Sequence, residues 1–169
     1  MEGRELVYLD TLAVLAVTFG GFAIIAVALR QDTGARLSKI QVLIIRFLVE
    51  ISLIAAFLSV IPSLLSLFHL PLSVVWRAAS ALGLVTIVSW TIAYPMRRHA
   101  ASGQWFGIIV LLTFLALAVS CAGLLANILD LTTATAGACY ALAPTTLLAM
   151  IWANFLYRLD LFVRGSNRR

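Results

Sequence analysis

Residues 40–62 read IQVLIIRFLVEISLIAAFLSVIP, an apolar run broken by two charges, Arg46 and Glu50. A run of this length crosses the hydrocarbon of a bilayer, since a spanning helix needs about 20 predominantly apolar residues. At ~1.5 Å rise per residue, the four-residue spacing sets the two charges about 6 Å apart on one helix face, where their side chains meet. A charge at the bilayer centre costs roughly 2.5–3.5 kcal/mol, so such groups turn to the bundle interior, pair, and count as candidate functional positions.

Composition extends that reading to the whole chain. Of 169 residues, 63% are hydrophobic and 11% charged, against about 25% charged in soluble domains. A soluble single domain is excluded. The formal charge of +5 comes from basic residues lying between apolar runs, where they set membrane orientation. Nucleic acid is not an expected partner, because a phosphate-tracking surface needs an open basic face. Cys121 and Cys139 fall inside apolar stretches and read as small packing residues.

Outward from the central run, the first apolar segment covers about residues 6–29. Ala26-Val27-Ala28 has the look of a cleavage site, but the acidic start MEGRELVYLD and the basic residues Arg30, Arg36 and Lys39 after the run are the wrong flanks for a signal peptide. The expectation is an uncleaved first span with an exported tail. Gly20-Gly21 in its middle predicts a close helix contact. After residues 40–62, the segment SLLSLFHL between Pro62 and Pro71 is too short to cross; either the second helix continues past a kink at Pro62 or the segment lies in the interface. The remaining spans cover about 72–95, 106–129 and 135–157. The fourth aligns Ala116, Ser120, Gly123 and Asn127, and the fifth carries a ridge of Gly137, Ala141, Thr145, Ala149 and Ala153 at four-residue spacing around Pro144. Small ridges let helix backbones approach closely, so this one is expected to pack a neighbouring helix, a membrane-protein partner or a second copy.

The expected fold is all-α: a single polytopic membrane bundle over residues 1–169 with five transmembrane helices. Basic residues fix its direction. Arg30, Arg36 and Lys39, then Arg97 and Arg98, then Arg158, Arg164, Arg168 and Arg169 alternate with connections lacking Lys and Arg. The positive-inside rule then sets the N-terminus outside and the C-terminus in the cytoplasm, in a multi-pass inner-membrane protein. Tyr8 and Trp76 at outer ends, with Tyr94, Trp105 and Tyr157 at inner ends, fit interfacial aromatic belts.

This threading gives each polar group a depth. Arg46 lies in the cytoplasmic half and Glu50 near the midplane, paired within one helix. Asp10 and Arg77, matched in depth near the outer surface, are expected to pair between helices, and Asn154 with Thr145 and Thr146 to come within reach of Arg46 and Glu50. His69 and His99 fall on opposite sides, and Glu50 is the lone acid at mid-depth, so neither a metal site, a cofactor site nor a carboxylate pair is expected. No serine has a nearby intramembrane base, and no GxGxxG, P-loop, CxxC or HExxH occurs. The expectation is a non-enzymatic accessory or structural subunit; the alternative is an oligomeric pathway for an ion, proton or small solute using Glu50 and Arg46. Against the latter, the polar stripe of the second helix ends at the midplane, where Leu53 and Phe57 follow on the same face, and five spans leave no even internal repeat.

The threading predicts that a topology reporter fused after Arg169 reads cytoplasmic and one inserted near Asp130 reads external. The opposite pattern would reverse every depth assigned above.

Overall fold

The computed structural model describes residues 2–32, 39–102, 108–132 and 135–164. Arg36, Trp105, Arg168 and Arg169 lie outside the described residues, as do the side chains of Arg30, Lys39, Arg98, His99, Tyr157, Arg158 and Arg164. Five helices result: α1 Glu2–Asp32, α2 Lys39–Ser66, α3 Leu72–Ser102, α4 Ile108–Ile128 and α5 Ala136–Arg164. Each is long and apolar enough to cross a membrane.

Three of the helices run through a proline: Pro62 in α2, Pro95 in α3 and Pro144 in α5. Of residues 63–70, the first four continue the second helix: α2 passes Pro62 and runs on to Ser66. It then tightens into successive one-turn bonds, Leu67 N–H to Leu64 O at 3.3 Å, Phe68 to Leu65 at 3.2 Å and His69 to Ser66 at 3.1 Å. His69 closes the turn with a left-handed φ of 56°, and Pro71 opens α3 by accepting N–H bonds from Val74 and Val75 at 2.8 and 3.1 Å. The sequence reading ended the third span at Pro95, whereas α3 continues through it to Ser102, so Arg97 stands on a helix rather than in a connection. At the end of α4, Asp130 takes φ 64°; its N–H reaches Asn127 O at 3.2 Å and that of Leu131 reaches Ala126 O at 2.9 Å. This paired arrangement satisfies carbonyls that the helix end would leave bare.

The helices pack as a bundle around α2 and α5. Half of the apolar stretch of each of these two is buried, against 28% for α1 and α4 and 33% for α3. Helix α1 lies on α2 and α5; α3 touches α2, α4 and α5; α4 touches α3 and α5. Among the described residues α1 meets neither α3 nor α4. All five helices contribute to one buried cluster, with Leu9, Ile51, Ile87, Leu124 and Tyr140 among its members. The exterior is apolar as well: Val14, Phe57, Val85, Leu115 and Leu156 are all more than half exposed.

Close approaches occur where side chains are small. A Cβ added to Gly20 would lie 3.2 Å from Ser52 Cβ, which seats α1 against α2 at that glycine, while Gly21 faces open space. On α4, a Cβ at Gly123 would lie 3.3 Å from the Cys139 carbonyl oxygen on α5. The belt assignment of Trp76 and Tyr94 needs correction, since both are buried. Trp76 packs on Tyr140 with ring centroids 5.7 Å apart, and Tyr94 stacks on Trp90 at 5.0 Å. Stacking inside the bundle buries more ring area than an interfacial position would.

The two central helices are joined by a bond that a proline makes necessary. Pro62 has no N–H, so the carbonyl of Leu58, four residues earlier, loses its helical donor. Tyr140 of α5, fully buried, donates its hydroxyl to Leu58 O at 2.7 Å. Replacing the hydroxyl should therefore cost more in the presence of Pro62 than in its absence. Tyr140→Phe is expected to destabilise the detergent-solubilised protein by roughly 0.6–1.7 kcal/mol. In a Pro62→Ala background, where residue 62 supplies its own N–H, most of that cost should vanish; the check is a double-mutant cycle read by thermal or denaturant unfolding.

Candidate functional site

Among the described residues, a cluster of charged and aromatic side chains joins α2 to α3. On α3, Trp90, Tyr94 and Arg97 follow at four and three residues and so share one face. Phe47 and Glu50 of α2 meet that face. Phe47 packs on both rings, 5.5 Å from Trp90 and 5.0 Å from Tyr94. Above this aromatic floor the Glu50 carboxylate collects three donors. Arg46 Nε donates to Oε1 at 2.6 Å, Arg97 Nη1 donates to Oε1 and Oε2 at 2.8 and 2.9 Å, and Trp90 Nε1 donates to Oε2 at 3.2 Å. Both oxygens are thus engaged. The Glu50 side chain is 26% exposed, while those of Arg46 and Arg97 are 58% and 42% exposed.

Arg46 and Glu50 make the within-helix pair that their spacing allows, but the rest of the cluster differs from expectation. Thr145, Thr146 and Asn154 do not join it. Thr145 Oγ1 donates to Ala141 O at 2.6 Å, Thr146 Oγ1 to Leu142 O at 2.7 Å, and the buried Asn154 Nδ2 to Met150 O at 2.9 Å, each within α5. The reason is rotational: α5 does pack on α2, but Glu50 lies on the α3 side of that helix. Sequence reasoning missed Arg97 and Trp90. The spacing of Trp90, Tyr94 and Arg97 along one helical face was a signal for them, obscured by assigning Arg97 to a connection.

At the opposite end of the bundle, where the chain starts, the expected pairing of Asp10 with Arg77 is overturned. Arg77 Nη2 pairs with Asp130 Oδ2, and Asp10 Oδ1 instead accepts from Ser63 Oγ at 3.1 Å. Matched depth was insufficient, because α1 and α3 lie on different sides of the central helices. Beside this pair, Asn127 Nδ2 donates to Ser80 Oγ at 3.2 Å and to Ala136 O at 2.8 Å, while its Oδ1 accepts from Thr132 Oγ1. The asparagine thereby ties α4 to α3 and to the first turn of α5.

The ridge on α5 is used along part of its length. The Glu5 carboxylate of α1 occupies the place a Cβ on Gly137 would fill, next to the α5 N-terminus, where negative charge is favoured by the helix dipole. Ala141 packs against the buried cluster, and Thr145 Oγ1 bonds Tyr8 OH at 2.9 Å. Ala149 and Ala153 are exposed, although Trp152 between them meets Phe19 of α1 edge-on at 4.9 Å.

Compared with known proteins, the chain matches no family model, and it has no significant match among curated proteins or solved structures.

The pairing at the chain-start end yields a direct test. Arg77 and Asp130 are both nearly half exposed, which limits their coupling to a few tenths up to about 1 kcal/mol. A double-mutant cycle with Arg77→Gln and Asp130→Asn should recover that coupling, whereas one with Asp10→Asn and Arg77→Gln should give additive effects. Coupling of Arg77 to Asp10 rather than to Asp130 would contradict the geometry.

Proposed function

We propose that this chain is a non-enzymatic integral membrane protein acting as an accessory or structural subunit, threaded with its N-terminus outside and its C-terminus in the cytoplasm, in an inner membrane. The observation that carries the functional part is the saturation of Glu50. A carboxylate serving a permeating ion or proton needs an oxygen that can exchange partners with water or with the permeant. Here both oxygens are engaged by Arg46, Arg97 and Trp90, and the outer stripe of α2 beyond Glu50 consists of exposed Leu53 and Phe57. The interhelical bonds of Tyr140, Asn127, Tyr8 and Ser63 likewise join helix to helix, as suits a scaffold whose polar groups hold its helices in register. Apolar side chains around the exterior support a lipid setting. A membrane-protein partner or a second copy is the class of ligand such a scaffold serves.

The test uses vesicles containing the purified protein. Parent protein and Glu50→Gln should be equally silent in proton and ion flux. A variant in which Arg46, Glu50 and Arg97 are all replaced by leucine should be at least as stable as the parent, since charges inside a spanning segment carry an insertion cost that leucine does not. All three positions must change together, because removing Glu50 and Arg46 alone would strand Arg97. Flux through the parent that Glu50→Gln abolishes would overturn this reading in favour of a pathway.

A further inference from the structure

On the exterior of α2, Arg46 and Glu50 begin a stripe that continues through Leu53, Phe57, Val60 and Leu64 at steps of three and four residues. The four apolar members are exposed. One carboxylate answers two guanidiniums in this cluster, which leaves one positive charge in excess. Neither arginine spends a two-pronged fork on Glu50: Arg46 bonds it through Nε and Arg97 through Nη1 alone. The seam between α2 and α3 therefore carries half-exposed guanidinium groups directly above bare apolar surface.

The position along the helices matches that polarity. Arg97 is the last residue of the apolar stretch of α3, and Arg46 lies five residues inside that of α2, a depth of roughly 7–8 Å at the helical rise. Arginine side chains at that depth reach towards the headgroup region. Guanidinium groups bind phosphate oxygens strongly because fork and anion match in geometry and charge, and basic pockets between spanning helices hold anionic headgroups. We propose that the α2–α3 seam binds an anionic phospholipid, its phosphate on the outer edges of the Arg46 and Arg97 guanidiniums that Glu50 does not engage and an acyl chain along Leu53, Phe57 and Val60. The inference rests on the reading that the chain spans a bilayer.

Native mass spectrometry of the full chain in a non-ionic detergent tests it, by titration with phosphatidylglycerol or with phosphatidylcholine of the same acyl chains. The parent should prefer the anionic lipid by about fivefold, the ratio that roughly 1 kcal/mol for the one unanswered positive charge represents. Arg46→Gln, checked for helicity by circular dichroism, should bring the two lipids close to parity. Glu50→Gln, which removes the competing carboxylate, should raise the preference above that of the parent. Equal binding of the two lipids by the parent, or one unchanged preference across both variants, overturns the proposal. So does displacement of phosphatidylglycerol by millimolar inorganic phosphate, since the site would then read phosphate without the lipid. Alkaline extraction from vesicles separates the two layers of inference: a chain that resists extraction but shows no lipid preference loses the lipid site alone, and one that is stripped off loses the membrane reading with it.

Discussion

Pro62 leaves the Leu58 carbonyl without a donor of its own, and the rest of the bundle is built around the group that answers it. Water cannot reach this position, and an unpaired buried carbonyl costs as much as a lost hydrogen bond or more. Tyr140 must therefore sit on the face of α5 turned to α2, with its ring fully buried. The same face of α5 carries Ala143, Leu147 and Ile151 into the core, so the bond and the apolar packing agree on the rotation of α5 about its axis. That rotation also explains why Gly137, Ala141 and Thr145 turn towards α1 and the core while Trp152 reaches Phe19. Trp76 then closes over the tyrosine from α3. One backbone acceptor thus ties the two most buried helices together at the point where Trp76 packs on the tyrosine.

The charged groups obey the same rule with different partners. Each described ion pair couples a group on one helix to a group near the end of another or one turn away: Arg46 to Glu50 within α2, Arg97 of α3 to Glu50, and Arg77 of α3 to Asp130 just past α4. The left-handed conformation of Asp130 does two jobs. It lets the terminal carbonyls of α4 be capped by the chain's own N–H groups, and it leaves the carboxylate beside α3. An aspartate tolerates that conformation better than a branched residue would.

Much of this was legible in the sequence, and the division follows the range of the interactions. The five apolar runs and the Arg46–Glu50 spacing are local properties, and helix periodicity reads them directly. The orphaned Leu58 carbonyl is also local, because Pro62 names the residue four positions earlier. What answers it is not: Tyr140 lies 82 residues away, and the choice depends on which helices adjoin. Asp10 and Arg77 failed for the same reason, since charge and depth are one-dimensional quantities while adjacency around the bundle is a second dimension. Arg97 was missed on different grounds. Positive-inside counting treats an arginine beside a proline as part of a connection, but α3 runs through Pro95 and keeps Arg97 in phase with Trp90 and Tyr94.

That phase relation gives the two ends of the bundle unlike electrostatics. At the chain-start end Arg77 meets Asp130 one to one, and Asp10 is met by a neutral hydroxyl. At the other end two arginines share one carboxylate. The charge asymmetry visible in the connections therefore continues into the helix flanks, where Arg46 and Arg97 stand beside Glu50 with about half of each side chain exposed. The aromatic floor of Phe47, Trp90 and Tyr94 reaches Glu50 through the Trp90 N–H, and Glu50 in turn bonds both arginines, so rings and charges form one continuous contact between α2 and α3.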